Sequence, residues 1–393
     1  MISLYKDHPK VTVIVYICHV DWFLVSHRLN LIDEAIARGY QVHVISSGLE
    51  YCDFFEHKNV QYHNINLSRS RISFMELYKA TGKIYKILKK VKPNIVHNIT
   101  AKSILAGSIA TMFLPNIKNV INAFSGLGYL FSNNSIKNII QRSILLTIYF
   151  FIFNFSKKYK AIFQNSDDRS FFLKRYIFHV DNTILIKGSG VNINLFTPKL
   201  NKDATLNILF PARLLYDKGI IEFLESGIQL VNLHNNIKLL IAGDIDVNNP
   251  ACMNKEKLMN YLIPDKIEWL GHQKSMLEIY SKADIICLPS YREGLPKSLI
   301  EAGACGLPIV TCDVEGCREI VKDAYNGFLV RKRSVVDLVE KLDILIRNKE
   351  LRTIMGQRNR DIVEKEMSDT IVINQTFGFY YSNLICKDIE QSA

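Results

Sequence analysis

The chain has 393 residues, which is too long for one ordinary hydrophobic core and suits two domains of about 200 residues each. Its content of 48% hydrophobic and 22% charged residues excludes a disordered protein. The net charge of +11 favours a negatively charged partner, such as nucleic acid, anionic lipid or a phosphorylated substrate.

The positive charge is concentrated in one part of the chain. From Leu77 to Ser166 there is no Asp or Glu, and these 90 residues hold 13 Lys and Arg, so the rest is near −2 (11 minus 13). A solvated basic surface without a partner is the alternative interpretation. No zinc-finger, RRM-type or basic-zipper pattern is present, so we expect no nucleic-acid partner and favour anionic lipid or a phosphorylated substrate.

The compartment is indicated by the N-terminal residues and the cysteines. Lys6 and Lys10 precede the apolar run Val11 to Ile17, which is short, β-branched and typical of a buried strand rather than of a signal core. The longest apolar stretch, Ile144 to Phe155, is shorter than the ~18 residues of a membrane-spanning helix. Eight cysteines form no C-x-x-C pair. We expect a cytoplasmic protein with reduced thiols.

Strand and helix patterns alternate along the first half. The predicted strands are Val11–Cys18, Gln41–Ser46, Asn94–His97, Asn119–Ala123 and Ala161–Asn165. The predicted helices are Leu24–Arg38, Phe74–Lys90, Ile104–Phe113 and Ile136–Lys158. This alternation predicts a parallel sheet with helices on both faces.

The same alternation restarts after a Gly-, Asn- and Pro-containing segment, Gly188–Asp203. The predicted strands are Leu206–Phe210, Ile237–Ala242, Ile267–Leu270, Ile285–Leu288 and Ile309–Cys312. The predicted helices are Ile220–Val231, Lys255–Leu262, Ser275–Lys282, Lys297–Cys305 and, at the end, Ser368 to about Ile385. We therefore predict two doubly wound α/β domains. The first comprises residues 1–200 and 368–393, and the second comprises residues 201–367.

The segment Pro289 to Pro308, PSYREGLPKSLIEAGACGLP, lies between two predicted strands and opens a helix. A helix N-terminus offers free N–H groups and the positive end of a dipole, which suits a diphosphate. Glu293 lies before this helix and Glu301 within it, so the two carboxylates can contact different hydroxylated groups of one ligand. Taken alone, two Glu residues eight apart would be an ordinary surface pair.

The segment Pro211 to Gly219, PARLLYDKG, follows the first strand of the second domain. Arg213 and Lys218 can neutralise charge that develops on a diphosphate leaving group, which is the electrostatic work a metal ion would otherwise do.

Together these residues resemble the GT-B retaining glycosyltransferases of family 4. The resemblance covers nearly the whole chain and includes KGSGVN at Lys187–Asn192, Phe196, and DVEGCRE at Asp313–Glu319. Within the family, the chain is similar to bacterial capsule and O-antigen transferases and to N-acetylgalactosaminyltransferases that extend undecaprenyl-diphosphate-linked glycans.

The resemblance implies two Rossmann-like domains facing a central cleft, with the last helix returning to the first domain. It implies that Glu301 binds the ribose of the donor, Glu293 the sugar hydroxyls, and Arg213 and Lys218 the diphosphate. The amides of Gly294, Leu295, Pro296 and Lys297 would add to the donor site. The resemblance also implies that transfer retains the anomeric configuration and needs no catalytic metal or cofactor. It favours a UDP-sugar over a GDP-sugar as donor, with N-acetylgalactosamine as one candidate among several sugars.

The first domain is expected to bind the acceptor, a polyprenyl-diphosphate-linked saccharide. Candidate acceptor-binding residues follow predicted strand ends: His27, Arg28, Lys102, Ser125 and Gly126. For His27 and Arg28, a helix start with solvated charges is an equal alternative.

Three further interpretations concern single features of the sequence. A structural role explains His97 as well as a role in binding does. Many family members place a His in the region where this chain reads NAFSGLG, at Asn122–Gly128. The missing His leaves open that the protein binds a nucleotide-sugar without catalysis. An epimerase or a phosphorylase on the same fold is a further alternative. Asp244 and Asp246 resemble the acid pair of metal-dependent transferases, but we expect no metal there.

The predicted helix Ile136–Lys158 combines aromatic and aliphatic residues with a basic flank. This composition suits a helix at a membrane interface, although a core helix is the alternative. We therefore expect a peripheral protein at the inner face of the cytoplasmic membrane.

Overall fold

A computed structural model describes residues 11–67, 74–127, 131, 135–198, 205–247, 249 and 251–390, with side chains to 382. It divides into two compact units. The first comprises Met1–Phe163, Arg169–Ile186 and Ile373–Ala393, and the second Gln164–Asp168 and Lys187–Val372. The predicted boundary at residues 200 and 201 lies outside the described residues.

The first unit is built on a parallel sheet of seven strands. The strands are β1 (Val13–Cys18), β2 (Gln41–Ser46), β3 (Gln61–Asn64), β4 (Ile95–Ile99), β5 (Asn119–Phe124), β6 (Tyr159–Phe163) and β7 (Thr183–Leu185), in the order β3-β2-β1-β4-β5-β6-β7. Strands β4, β5 and β6 are buried along their whole length, as expected for a parallel sheet covered on both faces.

The helices of the first unit connect these strands. They are α1 (Asp21–His27), α2 (Leu29–Ala37), α3 (Cys52–His57), α4 (Phe74–Val91), α5 (Ala101–Met112), α6 (Ile136–Phe155) and α7 (Ser166–Leu173). The single helix predicted at Leu24–Arg38 is two helices, because Arg28 leaves helical geometry (φ −138°, ψ 5°). By length and composition, α6 alone among the described helices could cross a membrane, which differs from the prediction that no segment reaches that length.

The second unit repeats this plan with a parallel sheet of six strands. The strands are β8 (Leu206–Phe210), β9 (Ile237–Ala242), β10 (Ile267–Gly271), β11 (Ile285–Leu288), β12 (Ile309–Cys312) and β13 (Gly327–Val330), in the order β10-β9-β8-β11-β12-β13. The helices are α8 (Ile220–Leu233), α9 (Lys255–Met259), α10 (Met276–Lys282), α11 (Lys297–Ala304), α12 (Glu315–Arg318), α13 (Val335–Arg347) and α14 (Lys349–Glu366). The two doubly wound α/β domains are therefore confirmed.

The last helix, α15 (Asp369–Glu390), completes the first unit, as predicted. Phe377 and Tyr380 on this helix are buried. The ammonium of Lys160 on β6, which is also buried, donates to the Phe379 carbonyl and to the Ser382 hydroxyl, both at 2.9 Å. Burial lowers the pKa of Lys160 to about 8. A buried cation on a strand therefore holds the polar groups of α15.

Candidate functional site

The sheet of the second unit has one switch point, between β8 and β11, where the strand order reverses. Ligands of doubly wound sheets bind outside the carboxyl ends of the strands at such a point. Both sequence segments singled out for chemistry follow these two strands, residues 211–219 after β8 and residues 289–296 after β11. The fold therefore brings them side by side.

A glycine lets the two loops touch. Gly219 has φ 75°, and a Cβ at this position would lie 2.2 Å from the Pro289 carbonyl oxygen, far inside van der Waals contact. The Tyr291 N–H donates to the Asp217 carbonyl at 2.9 Å. This backbone contact fixes the two neighbouring side chains, Lys218 and Glu293.

Lys218 and Glu293 form an ion pair between the two loops. The Glu293 side chain is 10% exposed and the Lys218 side chain 23%, so both charged groups are largely shielded from solvent but not closed off from a ligand. A pair held across a switch point combines a cation for a phosphate with an acceptor for a hydroxyl group.

Arg213 lies on the same β8 loop and pairs with Asp246, which follows β9. The two loops are joined by the Leu214 N–H, which donates to the Asp244 carbonyl at 3.0 Å. The Arg213 side chain is 41% exposed, so its guanidinium reaches solvent. Asp246 thus has a cationic side-chain partner from the neighbouring loop.

Glu301 lies in the second turn of α11, and its carboxylate is held from two sides. One oxygen is 3.3 Å from the Lys297 ammonium, and the other accepts from the Tyr280 hydroxyl at 3.1 Å. Burial, reinforced by the Glu301 charge, holds the pKa of Tyr280 well above its usual value, so the phenol stays a donor. Glu301 is almost fully buried, at 9% exposure, so the surrounding side chains restrict its carboxylate to one position.

The N-terminus of α11 carries Gly294, Leu295, Pro296 and Lys297. Lys297 is the first helical residue, and Pro296 is the N-cap. Pro296 has no N–H, so the prediction that amides from Gly294 to Lys297 all contribute is wrong at this position. The Leu295 side chain is buried in the core, so Leu295 can offer only its backbone to a ligand.

Three residues around this loop, Asn165, Gly316 and Asp168, have contacts that the sequence did not reveal. Asn165, in the 164–168 segment of the second unit, donates its amide to the Gly294 carbonyl at 2.9 Å. Gly316 on α12 lies under the same carbonyl, where a Cβ would come within 2.2 Å. Asp168 accepts from Asn165, and burial raises the pKa of Asp168 to about 6. The role of Asn165 is revealed only by its contact with Gly294, which lies 129 residues later in the chain.

The switch point of the first unit lies between β1 and β4. There the His19 Nδ1 and the Thr100 hydroxyl are 2.7 Å apart. Thr100 has φ 76° and ψ 151°, a conformation that a β-branched residue adopts only under strain, and strained residues concentrate at functional sites. The sequence shows that each residue follows a strand, but not that the two meet.

Three predicted acceptor residues share this edge of the sheet. Lys102 follows β4, and Ser125 and Gly126 follow β5, the next strand in the order. All three are partly exposed. Burial lowers the pKa of Lys102, and the charge of Glu76 opposes this shift. The structure therefore brings Lys102, Ser125 and Gly126 to the edge that also holds His19 and Thr100.

The other two predicted acceptor residues lie at the end of α1. The His27 ring is half-buried and stacks on Phe23 with 4.2 Å between ring centroids. Arg28 is buried, its guanidinium donates to the His27 carbonyl at 2.9 Å, and burial lowers its pKa to about 10. Because Arg28 has almost no exposed surface, its guanidinium is not available to an acceptor in this conformation.

His97 has a structural position. It is buried, and its Nδ1 lies 2.7 Å from the Tyr380 hydroxyl of α15. Burial lowers the pKa of His97 to about 3, so the ring is neutral at physiological pH.

Among the described residues, one group of three side chains has the spacing of metal ligands: Cys52, Asp53 and Glu56 on α3. Cys52 is half-buried and the two carboxylates are exposed. The group lies in the first unit on the connection from β2 to β3, whereas Arg213, Lys218, Glu293 and Glu301 lie in the second unit.

Two family models match the chain, one in each half. Residues 13–165 match Glycosyl transferase 4-like, and residues 193–362 match Glycosyl transferases group 1.

Two relatives and one solved structure illustrate the similarity. The N,N'-diacetylbacillosaminyl-diphospho-undecaprenol alpha-1,3-N-acetylgalactosaminyltransferase of Campylobacter jejuni is 28% identical over 350 residues, covering 86% of this chain and 90% of the relative. The UDP-Gal:alpha-D-GlcNAc-diphosphoundecaprenol alpha-1,3-galactosyltransferase of Escherichia coli is 26% identical over 306 residues, covering 74% and 76%. Anabaena Alr3699/HepE in complex with UDP and glucose matches with a TM-score of 0.76 and 15% identity, over 94% of this chain and 100% of that one, and shows that the fold is GT-B.

Proposed function

Because the chain belongs to the glycosyltransferases of the group 1 and 4-like type, we propose that it transfers a hexose or N-acetylhexosamine from a UDP-sugar to a polyprenyl-diphosphate-linked saccharide. The reaction would serve the assembly of a surface polysaccharide such as O-antigen or capsule. The observation that carries the proposal is the Lys218–Glu293 pair at the switch point of the second unit, beside the α11 N-terminus and Glu301.

The donor would bind the second unit through its diphosphate. Lys218 and Arg213 are paired with Glu293 and Asp246, and a diphosphate offers both cations a stronger, doubly charged partner. When Lys218 turns to the phosphate, Glu293 is released to accept hydrogen bonds from the hydroxyl groups of the sugar. Glu301, held by Tyr280, would accept from the ribose hydroxyls.

Transfer would proceed with retention and without a metal. The bond from the anomeric carbon to the diphosphate oxygen breaks, and the acceptor oxygen bonds to the same carbon from the same face. The acceptor proton passes to the departing phosphate oxygen, so no protein nucleophile is needed. Lys218, Arg213 and the N–H groups of α11 stabilise the negative charge that develops on the leaving group.

The acceptor would bind the first unit at the edge that holds His19, Thr100, Lys102, Ser125 and Gly126. Lys102 suits the acceptor diphosphate, since an ammonium is a compact charge for phosphate oxygens. We propose that His19, oriented by Thr100, takes the place of the histidine that many related chains carry after β5. His27 at the end of α1 would extend this site.

The relatives support a choice of donor sugar and of location. N-acetylgalactosamine is our first choice because the Campylobacter jejuni relative is named for it, and galactose follows from the Escherichia coli relative. A polyprenyl-linked acceptor would place the protein at the inner face of the cytoplasmic membrane, as a peripheral protein.

The test is a transfer assay read by mass spectrometry. The full chain is incubated in EDTA with UDP- and GDP-sugars and a polyprenyl-diphosphate-linked saccharide. We expect one UDP-sugar to extend the lipid, and Glu293→Gln to remove most of the product. Glu225→Gln, an exposed carboxamide variant on α8, is the matched control and should behave like the wild type.

Other outcomes would replace the proposal. Conversion of the donor without an acceptor would identify an epimerase, and absorbance from bound pyridoxal phosphate would identify a phosphorylase. UDP binding with no transfer to any acceptor would identify a non-catalytic nucleotide-sugar-binding protein. Activity that appears only after a divalent metal is added would contradict the metal-independent mechanism.

A further inference from the structure

We propose that the outer surface of the α4–α5–α6 layer in the first unit docks on an anionic lipid bilayer. The docking surface is defined as the exposed apolar face of α6 together with the exposed lysine face of α4. The inference rests on the proposed function in one respect, which is that a polyprenyl-linked acceptor lies in a membrane.

The apolar part of this surface is a continuous stripe along α6. Its large members are between 50% and 79% exposed: Ile136, Ile140, Ile144, Phe151 and Phe155. Their spacing of four, four, seven and four residues keeps them on one face of the helix for all of its 20 residues. The opposite face is anchored in the core by Tyr149, Ile152 and Phe153. An exposed apolar stripe of this length on a helix anchored in the core marks a surface that contacts another molecule or a membrane.

The charged part of the surface lies on α4. Its exposed lysines are Lys79, Lys83, Lys86, Lys89 and Lys90. Between Leu77 and Ser166 the sequence has no acidic residue that could offset them. The first five residues of α4 add Phe74, Met75 and Tyr78, which are 61% to 85% exposed. A lysine-rich face with apolar residues at one end complements anionic headgroups over an acyl layer.

The two helix faces belong to one layer. α5 contacts both α4 and α6 and is mostly buried between them. Along the chain α4 follows β3 and α6 follows β5, so the N-terminal ends of both helices lie toward the carboxyl edge of the sheet, which also holds Lys102 and Ser125. A bilayer against this layer would therefore present a lipid-linked diphosphate at the level of the proposed acceptor residues.

A shallow pocket of about 350 Å³ opens on the flank of α6. It is lined by Leu146, Thr147, Phe150, Phe151, Arg175 and Ile177. The Arg175 guanidinium lies 3.7 Å from the centroid of the Phe171 ring, which holds it beside the apolar wall. A cation next to an apolar depression suits a lipid, with a chain against the aromatic residues and a phosphate on the guanidinium.

Two other occupants fit the surface less well. In an isologous contact with a second copy, the α4 lysine face would either meet the same positively charged face of the partner or lie outside the contact. A membrane-spanning α6 would remove Tyr149, Ile152 and Phe153 from the core and carry Arg142 into the hydrocarbon layer. An interfacial position keeps the core intact and leaves the lysines beside the headgroups.

The experiment is vesicle co-sedimentation of the full chain, with phosphatidylcholine vesicles and with vesicles that also contain phosphatidylglycerol. We expect binding only to the anionic vesicles and loss of binding at high salt. Ile144→Gln with Phe151→Gln should weaken partitioning about tenfold, since two large apolar groups no longer enter the interface. Leu233→Gln with Val336→Gln, two exposed apolar positions of the second unit, is the matched control and should bind as the wild type does.

A charge series tests the α4 face. Lys83→Gln, Lys86→Gln and Lys90→Gln together should weaken binding to anionic vesicles roughly a hundredfold. The matched control removes three exposed lysines of the second unit, Lys322, Lys349 and Lys365. Unchanged melting temperatures establish that each variant is folded.

The outcomes separate this proposal from the proposed function. Transfer to a lipid-linked acceptor without vesicle binding would overturn the docking surface but support the proposed reaction. Vesicle binding that the test variants weaken, without any transfer, would support the docking surface but overturn the proposed reaction. Equal binding by the wild type and both test variants would overturn the docking surface. So would a wild-type dimer in sedimentation velocity that Ile144→Gln and Phe151→Gln dissociate, since a second copy would then occupy the face.

Discussion

Replacing Gly219 by Ala tests whether the contact between the two loops of the second unit positions Lys218 and Glu293. Two costs follow from the structure. The φ of 75° costs an alanine about 1 kcal/mol. The new methyl group would lie 2.2 Å from the Pro289 carbonyl oxygen, so one loop must move by about 1 Å, and such overpacking costs about 1–3 kcal/mol. We expect a total destabilisation of about 2–4 kcal/mol.

The same displacement should impair function, because Lys218 is the neighbour of Gly219 and Glu293 lies four residues after Pro289. A misplacement of about 1 Å at a reacting centre lowers the rate by roughly a hundredfold. The assays are thermal unfolding, UDP binding by calorimetry, and kcat/KM for transfer. For a unit of nearly 200 residues, each kcal/mol lowers Tm by about 2–4 °C, so Tm should fall by about 4–16 °C.

Gly271→Ala is the matched control. Gly271 has a similar φ of 67°, and nothing lies within 4 Å of the position of its Cβ. Its alanine variant should therefore lose only about 1 kcal/mol and keep its activity. If both variants melt alike and both retain wild-type kcat/KM, the contact with Pro289 does not position the site and the reasoning is refuted.

Two further predictions concern single side chains. Glu301→Gln should weaken UDP-sugar binding about 10–100-fold, as expected when a charged hydrogen bond to a hydroxyl is lost, whereas Glu225→Gln should not; equal calorimetric affinities would remove Glu301 from the donor site. Lys160 has its folded pKa lowered to about 8, so between pH 8 and its ordinary value the unfolded chain binds more protons, and stability should rise with pH. Between about pH 7.5 and 9.5 the gain is about 2 kcal/mol in urea denaturation, and Lys160→Met should lack this gain; a parallel rise in the variant would show that other groups cause it.

The sequence predicted the strands of the second unit better than those of the first. Strands β8, β9, β11 and β12 have the predicted bounds, because buried parallel strands are continuous apolar runs between glycine and proline signals. The edge strand β3 was missed because it reads QYHN, which has no apolar run and is half-exposed. β13, which reads GFLV, was missed because it begins at a glycine that follows Asn326, and an Asn-Gly pair is a turn signal.

The candidate site shows a similar division. Glu293 and Glu301 lie on one strand–loop–helix segment, so their spacing is legible in the sequence. The Lys218–Glu293 pair and the His19–Thr100 pair join residues 75 and 81 apart, and only the strand order brings them together. The burial of Arg28 was also not predictable, since a charged residue at a helix end is usually solvated.

The return of α15 to the first unit affects the order in which the chain can fold during synthesis. Lys160 and Phe379 are separated by 219 positions, and at the usual rate of translation the later residue leaves the ribosome roughly 10–40 s after the earlier one. During that interval the ammonium of Lys160 and the imidazole of His97 lack the carbonyl and hydroxyl that satisfy them in the finished protein. The first unit to be synthesised is therefore the last to be completed, and the nascent chain must keep that incomplete surface soluble until α15 arrives.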